Sequence, residues 1–88
     1  MRLDLLDYKI IKLFYDGEDW KDRLFYIEDF DDLGVDYQTL RYHLRKLSKN
    51  QYILEQKSYP IYWEPVQVKR HRDKMDRLYA GALKGLIR

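Results

Sequence analysis

The chain has no cysteine. That excludes a disulfide framework and any thiolate metal site. No apolar run approaches the roughly 18 residues that a membrane-spanning helix needs. No secretory leader opens the sequence, so the expected location is cytoplasmic. Histidine is scarce, with two residues, His43 and His71, and their spacing is not that of a metal site. The acidic run 28–32 lacks the glycine and oxygen-ligand spacing of a calcium loop. No glycine loop is built to cradle a phosphate, and no nucleophile is paired with a base. An enzyme, a metal, a cofactor and a small-molecule ligand are therefore not expected.

What remains is one small domain of 88 residues. A chain of this size buries only about 60–65% of its unfolded surface and often leans on a second copy. Nine tyrosines and two tryptophans are many for that length. Rings with a polar tip suit interfaces as well as cores.

The net charge of +2 says little, but its distribution says more. Residues 1–35 carry five Lys/Arg and ten Asp/Glu, whereas residues 36–88 carry twelve and five. Such asymmetry points to a second half that faces a polyanion.

Hydrophobic spacing predicts a first helix over 3–16, with Leu3, Leu6, Ile10, Leu13 and Phe14 on its core face. Asp4 is its expected cap, and Asp7 lies near the positive helix end. Leu5, Tyr8, Ile11 and Tyr15 form a second apolar strip that reads as a subunit contact. Residues 24–33 are the region of a second short helix ending at Gly34, and Leu24–Ile27 reads equally as a short strand. Asp36 should cap a third helix over 36–49, closed by a left-handed Asn50. Two β-rich runs within 52–64, joined through Lys57-Ser58-Tyr59-Pro60, predict a hairpin. Pro60 and Pro65 fit only at an edge or an end of it. A long helix is expected over 66–87, with Val68, His71, Met75, Leu78, Tyr79, Ala82 and Leu86 as its apolar, dimer-forming stripe. Gly81 and Gly85 would let a partner helix approach closely.

The third helix has two distinct sides. Leu40, Leu44 and Leu47 centre on one, with Gln38, Tyr42, Arg45 and Lys49 nearly opposite and Thr39, Arg41 and Lys46 flanking. Gln and Arg can read adenine and guanine in the DNA major groove, and rim lysines suit phosphates. His43 lies at the edge of the leucine face, where a packing role is expected. Tyr59, Tyr62 and Trp63 cluster on the hairpin, where packing against the first helix is expected.

The words "DDLGVDYQTLRYHLRKLSKNQYI" carry a resemblance. Leu33-Gly34, the cap Asp36, the run Thr39-Leu40-Arg41-Tyr42-His43-Leu44-Arg45-Lys46-Leu47 and the strand start Tyr52-Ile53 resemble the winged helix-turn-helix domains of prokaryotic MarR-, ArsR- and PadR-like transcription regulators. The match covers about a quarter of the chain; the remainder agrees in element order. The resemblance implies an α+β winged-helix fold with a hairpin wing and a long C-terminal helix. It implies recognition contacts at Tyr37, Gln38, Thr39, Arg41, Tyr42 and Arg45, and wing contacts at Lys57, Ser58 and Tyr59. The sequence departs from the pattern at Phe30, where a small residue is usual, and at Gln51, where a glycine is frequent. Glu28, Asp29, Asp31 and Asp32 stand where phosphates would often approach.

The expected function is sequence-specific binding of double-stranded DNA by a homodimeric transcriptional regulator. The rival is a winged-helix protein-interaction module that works through the acidic 16–32 surface. Single-strand binding through the aromatic hairpin is a further alternative.

Overall fold

A computed structural model describes residues 3–67 together with 73–75, 77, 80 and 81. The described chain is α+β, with helices packed on one two-stranded antiparallel hairpin.

Helix α1 spans Leu5–Tyr15. Its start is fixed by a reciprocal cap: the Asp7 backbone N–H donates to the Asp4 carboxylate at 3.0 Å, and the Asp4 N–H donates to Asp7 at 2.8 Å. The helix buries Asp7, Ile10, Ile11, Phe14 and Tyr15. Two expectations are corrected here. Leu13, expected in the core, is 37% exposed, while Ile11 and Tyr15, expected on a free strip, are each 1% exposed within this chain. The buried face is rotated by about one residue, because hairpin and helix both pack on it. Leu5 remains exposed and Tyr8 half-buried.

A 3-10 turn, Trp20–Asp22, sets Trp20 against the Tyr15 ring at 5.6 Å between centroids. Phe25 then forms a single antiparallel bridge to Trp63, with reciprocal N–H to C=O bonds of 2.8 Å. The second short helix is a 3-10 helix, Ile27–Leu33. It stops at Gly34, whose φ of 67° is left-handed and suits a residue without a Cβ.

Helix α2 spans Tyr37–Lys49. Asp36 caps it, accepting from the Thr39 N–H at 2.8 Å and the Thr39 hydroxyl at 2.9 Å. The left-handed closing residue is Gln51, with φ of 63°, and not Asn50, whose φ is −98°. Asn50 instead continues the helical bonding, with its N–H bonded to the Lys46 carbonyl.

Strands β1, Ile53–Gln56, and β2, Tyr62–Pro65, pair with Ile53 opposite Pro65 and Gln56 opposite Tyr62. Pro65 thus ends its strand, where its missing N–H costs the ladder nothing further. The Phe25 bridge adds one pair on the far edge of β2. Phe14, Phe25, Phe30 and Trp63 form a chain of rings with neighbouring centroids 4.5–6.3 Å apart. Trp63 is buried there, while Tyr59 at the hairpin turn is 99% exposed.

The expected helix over 66–87 is corrected at its start: Val66 and Gln67 are not helical. Residues 73–75, 77, 80 and 81 are helical. Met75 is fully buried in the core cluster, so it too is internal and not available to a second subunit. Val68, His71, Leu78, Tyr79, Ala82 and Leu86 lie outside the described residues.

Candidate nucleic-acid interface

Helix α2 buries Leu40, His43, Leu44 and Leu47. That face docks on α1 and β1, which turns the opposite face outward. Arg41, Arg45 and Lys49 are four residues apart, so they follow one line along the helix. The line runs beside the hairpin. There Arg41, Arg45, Ser48 and Lys49 face Lys57 across a groove of about 550 Å³, floored by Ile53, Leu54 and Ile61. Glu55 is the one carboxylate among the lining residues, and it accepts a bond from the Trp63 indole N–H at 3.1 Å. Arg45, Lys49 and Lys57 are exposed and form no ion pair among the described residues. Glu28, Asp29, Asp31 and Asp32, although exposed, do not line this groove.

The other expected contacts fall in several places. Gln38 is exposed on the first turn of α2. Tyr42 is exposed too, with its ring edge-on to His43 and under the Lys46 ammonium. Tyr37 is 56% exposed, and its hydroxyl accepts from Arg41 at 3.1 Å. Thr39 is held by its Asp36 cap. Ser58 and Tyr59 stand exposed at the hairpin turn, outside the basic groove.

Lys46 belongs to a different arrangement. Asp7 has no exposed surface, yet it is charged. Its Oδ1 lies 2.6 Å from His43 Nδ1, and its Oδ2 lies 2.5 Å from the Lys46 ammonium. Burial pushes the Asp7 carboxyl up, but the bonds from Lys46, His43 and the Asp4 N–H outweigh it and hold the group below the ordinary carboxylate range. An ionised carboxylate only accepts, so His43 Nδ1 carries the proton that faces it. Burial likewise lowers the Lys46 ammonium pKa, and Asp7 more than reverses that, leaving it raised. Asp4, Asp7 and His43 bring ligand-type atoms within 4.8 Å of one another, but Lys46 already supplies the cation at Asp7. The arrangement is that of an ion-pair network tying α2 to α1. Sequence reading placed Asp7 only at a helix end and Lys46 only on the outer face. Their partners are more than thirty positions away, and no local pattern announces such a pair.

No protein family, curated protein or solved structure matches this chain. Among the described residues, no helix is long and apolar enough to cross a membrane.

Proposed function

We propose that the chain is a winged-helix protein that binds double-stranded DNA, with α2 in the major groove and the β1–β2 hairpin along the adjacent backbone. In this reading it acts as a homodimeric transcriptional regulator. The observation that carries the proposal is the convergence of Arg41, Arg45, Lys49 and Lys57, from two separate elements, on one groove. A protein gathers like charges at a cost in repulsion, and a bound polyanion offsets that cost. Element order supports the fold assignment: helix, bridging strand residue Phe25, short helix, left-handed turn at Gly34, polar-faced helix, hairpin. The turn leads straight into the Asp36 cap, so the two helices are joined tightly, as a helix-turn-helix requires.

Arg45 and Lys57 have different roles here. Arg45 projects from the middle of α2 and reads a base edge; Lys57 sits on the wing and holds phosphate. After selection of a preferred site from a random duplex pool, Arg45→Ala should lose about 1–3 kcal/mol on that site and relax its preference. Lys57→Ala should weaken all duplexes about equally. Folded Arg45→Ala protein with unchanged affinity and site preference would remove α2 as the reader.

A further inference from the structure

A second cavity adjoins the basic groove and shares Arg41 with it. It is an open cleft of about 360 Å³ between the N-terminal turn of α2, the segment Tyr26–Glu28 and the hairpin turn. That volume is in the range of small-ligand clefts, about 300–1,000 Å³. Its walls are rings: Tyr26, Tyr37, Tyr59 and Trp63, with Pro60 beside them. Trp63 is 4% exposed and serves as floor, whereas Tyr26 is 38%, Tyr37 56% and Tyr59 99% exposed. Three rings thus offer surface at one cleft, and an exposed ring such as Tyr59 gains nothing for folding.

The charges on the cleft are ordered. Arg41 stands on the groove side, with its guanidinium 5.6 Å from the Tyr37 ring centroid. Glu28 stands among the lining residues as an acceptor-only group. Ring faces for stacking, a cation toward the polyanion groove and a carboxylate that accepts from an exocyclic amine match one nucleotide whose base has left its stack. We propose that this cleft takes an unpaired, amino-bearing base of the nucleic acid held in the basic groove, with Tyr59 stacking on the base and Arg41 on its phosphate. The inference rests on the duplex-binding reading, because the groove delivers the strand to the cleft.

The test compares two labelled duplexes of the same sequence, one fully paired and one with a single extra cytosine, by anisotropy titration of the full chain. The bulged duplex should bind about tenfold tighter. Tyr59→Ala should abolish that preference and leave paired-duplex affinity within about twofold, since Tyr59 is outside the basic groove. Tyr26→Leu is the second variant, and it should reduce the preference in the same direction. Paired duplex bound well, with equal affinity for the bulged one or a preference that survives Tyr59→Ala, would overturn the cleft assignment and leave the groove reading intact. Failure of both duplexes to bind would count against the groove reading; a short oligocytidine then decides the cleft. Tyr59-dependent binding of that single strand supports it, and no binding overturns it. Tyr59-dependent binding of a proline-rich peptide with no binding of oligocytidine would also overturn it, because rings around a proline suit such peptides.

Discussion

Asp7 is the residue on which the position of α2 depends most. It is fully buried, charged, and bonded to both His43 and Lys46. Removing one member of a buried pair leaves the others desolvated and unpaired, which costs about 3–5 kcal/mol. Asp7→Ala should therefore destabilise the fold by about that much in urea denaturation, with Lys46→Ala costing less because Lys46 is nearer the surface. The pH dependence has a definite sign. The folded Asp7 carboxyl titrates below its ordinary value of 3.8, so its contribution to stability is full above that value and is lost as pH falls through the lower, folded-state value. Asp7→Asn should flatten the acid limb of the stability curve below about pH 4. An acid limb unchanged by Asp7→Asn would show that the network contributes nothing to folding. The same network withdraws Lys46 from phosphate, so Lys46→Ala should change stability more than duplex affinity.

At the scale of elements, the local rules were legible and the pairings between elements were not. The caps Asp4 and Asp36, the stop at Gly34 and the hairpin through Lys57–Pro60 are written within four or five residues of sequence, so they could be read there. The core face of α1 was misjudged because Ile11 and Tyr15 are buried by the hairpin and by Val66, which helical spacing cannot reveal. Tyr15 is the clearest case. Its hydroxyl donates to the Tyr52 carbonyl at 2.6 Å and accepts from the Val66 N–H at 2.9 Å, joining both ends of the hairpin to α1. Burial pushes its phenol up to about 12. Tyr15→Phe keeps the ring and strands both partners, so a loss of about 1–3 kcal/mol is expected by thermal or urea unfolding. A variant as stable as the parent would mean that water satisfies both groups without the hydroxyl. Met75 was misplaced for a similar reason: its helical stripe was legible, but whether that stripe faced its own core or another subunit was not.

For the whole molecule, two readings of surface remain joined. Of the positions expected at a subunit contact, Ile11, Tyr15 and Met75 are internal. The dimer therefore rests on Leu5, which is 45% exposed, on Tyr8, and on the sequence stripe outside the described residues. Ala80 and Gly81 are exposed, and among the described residues nothing lies within 4 Å of a Cβ built on Gly81, which leaves room for another helix. Sedimentation at micromolar concentration should give a dimer, with half-sites about 10 base pairs apart in the preferred duplex. A monomer with and without duplex would remove both the dimer and the spacing.

The basic groove was legible in part. Arg41, Arg45 and Lys49 follow from helical spacing, but their convergence with Lys57 depends on how the hairpin docks. That convergence is the central claim, and the salt dependence of duplex affinity measures it directly. Four cations that each neutralise a phosphate should give a plot of log affinity against log salt with a slope of about −3 to −4 per protomer, near −0.9 for each contact. Replacing Arg45, Lys49 and Lys57 together by Gln should flatten that slope by about 3. No duplex binding by the folded parent at low salt, or the same slope in parent and triple variant, would contradict the account.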